Sequence, residues 1–416
     1  LTSRPHMRRS RNLLALAVAG AVIGGCGGGG SKLVVTSPSI SGVASKSSQA
    51  GQQLGYPWLV TKNTTRVAGA DPTADAAAVA LAVYPSAGSS THPPSVVIAP
   101  TDNWQAAIAS SVLMSGPVRA PILLSGSSSL PSATTGALRL LAPTGSGAVG
   151  GAQVILVGDV PKPSSLHSVS IGGHDPYAVA AGIDRLQSAA QGRPATSVVV
   201  ASADDAAYAM PAAGWAAESG DPILFVSGSG IPAATRQALL SHLHPHIYVV
   251  GPPSVVPDGV LNQLGRYGTV KRVGAGDPSA NSVAFAIYRD PPCANGQPCA
   301  HVPGSFGWAM KSPGHGYVLI NQNRPLDAAA AAPLSASGTY GPELLVDSAS
   351  TLPQPVENFF FDYATPGYTQ EGPTAAVYNH GWLIGDANAI SVAVQAKVDA
   401  DLEPQPVSGT SQGPAK

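Results

Sequence analysis

The sequence predicts an α/β protein made of three tandem Rossmann-like or flavodoxin-like units, each with a parallel sheet. Two repeated features predict this fold. An apolar strand that begins with proline is followed three times by a Ser/Gly loop and a second proline. An Asp-Pro pair precedes an alanine-rich segment three times, at intervals of about 100 residues. The passages between units are short and contain apolar residues, so we expect the units to pack as a pseudo-threefold body.

The opening of each unit is predicted to be a short strand, an Asp-Pro pair and a helix. Asp71, Asp175 and Asp277 each come directly before the proline. Aspartate is favoured at the N-cap, and proline suits the first helical position, whose N–H has no partner within the helix. These aspartates are therefore predicted to cap helices and to mark the repeat.

The middle of each unit contains its most recognisable strand, which begins at Pro121, Pro222 and Pro342. A second strand precedes each of these, and its continuous apolar run, such as 198–200, is typical of a strand buried on both faces. Helical stretches between the strands indicate parallel pairing with right-handed crossovers. An apolar strand that ends in glycine closes each unit.

The N-terminal segment has the pattern of an export signal. Basic residues follow Met7, and the apolar run at 13–23 is shorter than the roughly 20 residues that cross a bilayer. The run ends in Ile23-Gly24-Gly25-Cys26, which resembles the lipobox of bacterial lipoproteins. This resemblance implies that Cys26 is lipidated and that the protein is held on the outer side of the cell membrane. The alternative is an ordinary secretory signal with a chance cysteine.

The domain organisation follows from these features. We predict a signal peptide at 1–26, a flexible Gly/Ser tether at 27–63, repeats at 64–166, 167–268 and 269–403, and a disordered tail at 404–416. The third repeat carries two insertions, of which one is aromatic and one contains Cys293 and Cys299. Outside the cytoplasm a disulfide between these two cysteines is the expected state, and a metal site that includes His301 is the alternative.

The composition limits the class of partner. The net charge is −1, and charged residues make up 11% of the chain against about 25% in an average soluble protein. This balance gives no indication of a nucleic-acid partner. The dinucleotide-binding glycine pattern is missing, and we predict no cofactor.

Two groups of residues are candidate ligand contacts. Ser125 and Ser227 lie in loops at the C-terminal ends of strands, where open α/β sheets bind ligands; the alternative is ordinary turn chemistry. Arg66 and Arg272 precede the repeat aspartates, and guanidinium groups match oxyanions. The alternative for the arginines is that each braces the aspartate of its own repeat.

The sequence predicts neither a metal site at its histidines nor a catalytic serine. The alternating His242, His244 and His246 are interrupted by Pro245 and have no carboxylate close by in sequence. Ser227 lies in a loop that recurs in every repeat, which favours a scaffold over a catalytic nucleophile.

The order of the repeated strands, aspartates and prolines resembles that in the cell wall-binding repeat type 2 family of bacterial surface proteins. The matching residues are Arg66 with Asp71, Arg272 with Asp277, and the strand that begins at Pro121. The resemblance implies three compactly packed units that bind an anionic cell-wall polymer non-covalently in the grooves between them. The chain departs from the family pattern in having proline after each repeat aspartate and Ser170 in place of the second opening arginine.

Together these features predict a non-catalytic cell-surface lipoprotein that binds an anionic or carbohydrate wall polymer, or another envelope component. A solute-binding lipoprotein of an importer is an alternative, although those proteins have two lobes and a hinge. A wall hydrolase is a second alternative, but the repeats fill the chain from about residue 64 to 403.

Overall fold

The computed structural model describes residues 59–406, apart from 68, 70, 275, 293–304, 339, 369–376 and the side chain of Ser89. The predicted signal peptide with Cys26, most of the predicted tether, and the two cysteines of the predicted disulfide, Cys293 and Cys299, lie outside the described residues. Within the described part of the chain, no helix combines the length and apolar character that crossing a membrane requires.

The strands fall where the repeats predict them. They are β1 (Leu59–Val60), β2 (Thr64–Val67), β3 (Val96–Pro100), β4 (Ile122–Ser125), β5 (Val154–Val157), β6 (Ser168–Ile171), β7 (Ser197–Ser202), β8 (Ile223–Val226), β9 (His246–Val250), β10 (Thr269–Val273), β11 (Gly316–Asn321), β12 (Glu343–Val346), β13 (Gly367–Tyr368), β14 (His380–Ile384) and β15 (Gln405–Pro406).

The helices alternate with these strands. They are α1 (Pro72–Val83), α2 (Trp104–Ala109), α3 (Ser132–Leu141), α4 (Pro176–Gln191), α5 (Ala206–Ala209), α6 (Pro211–Ser219), α7 (Ala233–Ser241), α8 (Asp258–Leu264), α9 (Pro278–Ile287), α10 (Pro325–Ser335), α11 (Gln354–Phe359) and α12 (Val392–Asp401). Short 3₁₀ turns at Ser89–Thr91 and Gly147–Val149, a 3₁₀ continuation of α2 at Ser110–Met114, and a π-helical turn at Phe360–Ala364 complete the described elements.

The opening strand of each repeat belongs to the sheet of the preceding repeat. The sheets have the orders β4-β3-β5-β6, β8-β7-β9-β10 and β12-β11-β14-β2-β1, and apart from the antiparallel β1 all their pairs are parallel. Strand β2 of the first repeat pairs with β14 of the third, with Leu383 opposite Arg66. The chain thus closes into a ring, and each opening strand covers the edge of a neighbouring sheet that would otherwise be unpaired.

The second helices of the three repeats meet at the centre of the ring. Helix α2 with its 3₁₀ continuation, helix α6 and helix α10 contact one another and are almost entirely buried. Small residues permit this close approach. A Cβ atom at Gly214 of α6 would lie 2.6 Å from Ser335 Oγ of α10 and 3.2 Å from Glu343 Cγ of β12.

The first helices repeat one packing relation around the ring. Helix α4 packs on α2, α9 packs on the short helix α5 directly before α6, and α1 packs on α10. Each first helix therefore contacts the helical segment that follows the central strand of the preceding repeat. The predicted α/β fold of three parallel-sheet units in a pseudo-threefold body is confirmed.

The ends of the ordered body differ from the prediction. Leu59 and Val60, assigned to the tether, form β1, and Thr61 donates to Asp399 across 2.6 Å. Gln405 and Pro406, assigned to the disordered tail, pair with Gly367–Tyr368. The contacts that order these segments come from residues far away along the chain, so the local sequence does not predict them.

The insertions of the third repeat contribute aromatic packing. Phe306 and Trp308 lie with their ring centroids 5.1 and 5.3 Å from that of Trp215 in the second repeat. In the second insertion, Phe359 and Phe360 are buried, whereas Phe361 is 81% exposed. The described part of the first insertion therefore seals the contact between the second and third repeats.

Candidate functional site

The carboxyl ends of the parallel strands form one edge of each sheet, where four loops gather. In the first sheet the central pair β3 and β5 leads to β4 on one side and β6 on the other. Such a reversal of strand order opens a crevice at the carboxyl edge, which is the usual ligand position in open α/β sheets. The second and third sheets have the same order of equivalent strands and the same crevice.

Each crevice lies at a junction between repeats. The segment after each central strand contacts the opening turn or first helix of the next repeat. Asn103 Nδ2 donates to His174 O across 3.2 Å, and the Tyr208 hydroxyl donates to Gly276 O across 2.9 Å. Arg324 Nη2 donates to Asp75 Oδ2 across 2.7 Å at the closing junction. The junctions therefore bring the carboxyl-edge loops of one repeat beside the helix start of the next.

The three repeat aspartates cap the first helices. Asp71 accepts from the N–H groups of Thr73 and Ala74, Asp175 from those of Tyr177 and Ala178, and Asp277 from that of Ala280. Hydrogen bonds from the Ala280 N–H and the Ser279 hydroxyl lower the pKa of Asp277. The predicted capping role of these residues is confirmed.

Arg66 is not placed to contact a ligand, because its side chain is fully buried. Its guanidinium donates to Gln395 Oε1, Gly385 O and Asp386 O, each across 2.9 Å, and to Ser391 O across 3.3 Å. Burial lowers the pKa of Arg66 to about 10. The prediction of a ligand contact is therefore wrong for Arg66, and so is its alternative, since none of these acceptors is the Asp71 carboxylate.

Arg272 makes the equivalent contacts in the second sheet. It donates to Gly251 O, Val256 O and Asp258 Oδ1, each across 2.8 Å, and its side chain is 18% exposed. Its donors are thus directed at the loop before α8, which does not favour the predicted ligand contact. Both arginines hold the loop between the last strand of a repeat and a fourth helix. Sequence reasoning missed this role because the loop belongs to the preceding repeat.

The Ser/Gly loops are closed by their own hydroxyl groups. Ser125 is buried and donates to Gly126 O across 2.9 Å, so its predicted ligand contact does not fit its position. Ser227 lies 2.9 Å from the Ser229 hydroxyl and remains partly exposed. The prolines at the start of these strands, Pro121, Pro222 and Pro342, have carbonyls that accept from the adjacent central strand across 2.9, 2.9 and 3.0 Å.

A threonine anchors the helix that follows two of these loops. Thr134 and Thr235 stand three residues after the loop proline, and they donate to Leu124 O and Phe225 O across 2.5 and 2.7 Å. The shared spacing from the proline was a signal in the sequence that could have identified them. Their hydroxyls fix the loop against the strand end, so the loop backbone is presented in a set conformation.

The carboxyl-edge loops are acidic. Their described parts carry nine carboxylates against two Lys or Arg residues, Lys162 and Arg324. The carboxylates belong to Asp71, Asp102, Asp159, Asp175, Asp204, Asp205, Asp277, Asp347 and Asp386. Arg324 is paired with Asp75 and Asp327, at 2.7 and 2.5 Å. The crevices therefore have an electrostatic character opposite to that of a phosphate-binding groove.

The junction between the third and first repeats buries two carboxyl groups around one arginine. Asp75 and Asp327 are both inaccessible to solvent, and Arg324 bridges them. Burial raises the pKa of Asp327 to about 6, and burial together with the Asp327 charge raises that of Asp75 well above its usual value. This junction is therefore sensitive to pH near 6.

The histidines do not converge on a metal site. His242 lies with Nε2 2.9 Å from the buried Asp184 carboxylate and with Nδ1 2.8 Å from Ala195 O. His244 and His246 are exposed. No group of three or more His, Cys, Asp or Glu side chains suited to a metal occurs among the described residues.

The comparison with protein families identifies the second repeat. Residues 170–261 match the family described as cell wall binding domain 2. The predicted resemblance to the cell wall-binding repeat type 2 family is confirmed for this part of the chain. The matched cell wall-binding repeat begins at Ser170, in the copy that lacks the opening arginine, so the match does not depend on that residue.

Two solved structures share the fold of this chain. They are Cwp8 from Clostridium difficile, with 17% identity and a TM-score of 0.60, and Cwp6 from Clostridium difficile, with 16% identity and a TM-score of 0.63. Each match covers 82% of this chain, and 52% and 48% of those chains respectively. The chain thus spans about half the length of the two structures it matches. No curated protein matches it. The match over the second repeat supports a cell-wall-associated binding protein, and the two solved structures support the fold.

Proposed function

We propose that this protein is a non-catalytic cell-surface lipoprotein whose three repeats bind an uncharged carbohydrate polymer of the cell wall at their junctions. The acidic composition of the carboxyl-edge loops is the observation that favours an uncharged polymer over an anionic one. The family match supports wall binding, and the ring of three similar crevices supports repeated contact with an extended ligand.

The junction between the first and second repeats illustrates the binding chemistry. Asp102 and Asp175 are exposed there, and Tyr177 is partly exposed beside them. The charges of Asp204 and Asp175 contribute to raising the pKa of Tyr177, after desolvation as the largest cause, which places all three groups close together. Carboxylates accept hydrogen bonds from sugar hydroxyls, and an aromatic face packs against the apolar side of a sugar ring.

An anionic polymer fits these crevices poorly. Like charges in contact oppose binding, and the arginines that would have attracted phosphate are directed at backbone carbonyls instead. Three weak contacts along one polymer chain would combine into firm attachment, because each further contact is intramolecular. Attachment would then be non-covalent and only weakly dependent on salt.

Co-sedimentation with purified walls tests the proposal. We expect equal binding to intact walls and to walls stripped of their anionic polymers, with little change from low to high salt. Changing Asp102→Asn together with Asp159→Asn should weaken binding several-fold, whereas Asp362→Asn, at an exposed carboxylate outside the crevices, should not. Absence of wall association would refute the function. Loss of binding on stripped walls, or tighter binding by the double variant, would show an anionic ligand.

A further inference from the structure

The first repeat lacks the fourth helix that the other two possess. In the second repeat α8 follows the last strand, and in the third repeat α12 does. After β5 of the first repeat, residues 158–167 run to β6 without a helix. The residue in the opening strand also differs. Arg272 and Arg66 hold the loops that lead to α8 and α12, whereas Ser170 stands at the equivalent position next to the first repeat's loop.

A groove lies beside α3, where the other repeats have their fourth helix. Its cavity is about 680 Å³, between α3 and residues 161–166. Leu130, Leu138, Pro143 and Leu166 contribute apolar lining. Leu130 and Leu166 are only partly buried against the outer core of the first sheet.

The third repeat shows what occupies the equivalent space. There Lys397 of α12 pairs with Glu357 of α11 across 2.7 Å. Glu357 stands four residues after the loop proline Pro353, and Thr135, which lines the groove, stands four residues after Pro131. The groove therefore occupies the position at which α12 meets α11.

The charge at the groove differs from that in the third repeat. Arg139 and Lys162 line it, both are exposed, and neither forms an ion pair within the described residues. In the third repeat the third helix contributes a carboxylate and the fourth helix a lysine. The first repeat thus presents positive charge to whatever fills the groove.

We propose that this groove is a docking site for an amphipathic helix of a partner protein, with carboxylates along the flank that faces Arg139 and Lys162. The helical form of the occupant follows from the two sister repeats, which fill the same position with a helix of the chain itself. The acidic flank follows from charge complementarity. Recognition would use apolar anchors at helical spacing along the groove.

A helix-stabilised peptide of residues 386–403 is a suitable probe, since it is the segment that fills this position in the third repeat. It carries Asp386, Asp399, Asp401 and Glu403 against Lys397. Labelled peptide would be titrated with the full chain and followed by fluorescence anisotropy. A second peptide, with lysine at the four acidic positions, is the comparison. We expect the acidic peptide to bind at least tenfold more tightly than the basic one.

Charge reversal supplies the matched variants. Arg139→Glu with Lys162→Glu should weaken binding of the acidic peptide about tenfold, because two attractive charges at the rim become repulsive, and should restore binding of the basic peptide. Arg185→Glu with Lys311→Glu, which makes the same change in net charge at exposed sites elsewhere, should leave both affinities unchanged. Circular dichroism would verify that each variant is folded.

Two outcomes would overturn the proposal. Equal or undetectable binding of the two peptides would show that the groove does not accept an acidic helix. Concentration-dependent dimerisation of the unmodified chain, abolished by Arg139→Glu with Lys162→Glu in sedimentation velocity, would show that a second copy of this chain is the occupant.

Discussion

Arg66 Nε donates to Gln395 Oε1 across 2.9 Å, and this contact ties the first repeat's opening strand to the last helix of the third repeat. The same guanidinium reaches three carbonyls in the loop between β14 and α12. A buried cation that is satisfied by four acceptors therefore contributes to the closure of the ring. Arg66, which the sequence predicts to contact a ligand, instead links the first and third repeats of the fold.

Removing this cation should destabilise the protein. We expect Arg66→Met to lower the free energy of unfolding by about 3 kcal/mol, because buried carbonyls lose their donor. Urea denaturation followed by tryptophan fluorescence is the measurement. Arg272→Met, at a partly exposed site, should cost less. A loss below about 1 kcal/mol for Arg66→Met would contradict the role of Arg66 in closure.

The central helix contact predicts a penalty for a single methyl group. Gly214→Ala would place a Cβ 2.6 Å from Ser335 Oγ, so the helices must separate. We expect a loss of about 1–3 kcal/mol in the free energy of unfolding. Gly259→Ala is the matched control, because a Cβ there meets nothing within 4 Å on the exposed side of α8, and it should be neutral or stabilising. Equal effects of the two substitutions would argue against close packing at the centre.

The buried carboxyl pair predicts a pH dependence of stability. The pKa of Asp327 is about 6 in the folded state, above the ordinary 3.8, so the folded state holds the proton more tightly than the unfolded state. Its contribution to stability is complete below about pH 3.8 and is lost as the pH rises through about 6. Asp327→Asn should remove a change on the order of 3 kcal/mol between these limits. Denaturation at several pH values would measure it, with Asp362→Asn as control.

The His242–Asp184 pair should bind its proton tightly. Desolvation alone would lower the pKa of His242, but its bonds to Asp184 and Ala195 O outweigh this and raise it. Stability from this pair is present below the ordinary value of 6.5 and is lost as the pH rises through the raised pKa. Heteronuclear NMR titration should show Asp184→Asn shifting the midpoint of His242 downward. An unchanged midpoint would mean that Asp184 does not stabilise the protonated form of His242.

Lipid attachment at Cys26 remains a prediction with a direct test. We expect Cys26→Ser to release the protein into the medium or to leave it unprocessed, because acyl chains supply stable anchoring. Membrane fractionation and intact mass spectrometry are the measurements. A variant that fractionates with membranes and shows the parent mass would exclude lipidation at this cysteine.

Features that depend on neighbouring residues could be predicted from the sequence. Asp71, Asp175 and Asp277 cap helices because capping joins a side chain to N–H groups two or three residues away. The three prolines that begin the strands of the repeat also lie where the pattern predicts. Repetition at a constant interval predicted the number of units and their parallel sheets.

The way the repeats are joined and the contacts of the two arginines depend on the tertiary structure. Arg66 finds Gly385 O at a separation of 319 residues, a distance over which no local pattern carries information. Each opening strand joins the sheet of the preceding repeat because of the order of the repeats around the ring. The acidic crevices and the groove beside α3 depend on the same order. Hydrogen bonding of a buried cation and pairing of a sheet edge are satisfied by whatever the fold brings near, so their partners are set by topology and not by sequence proximity.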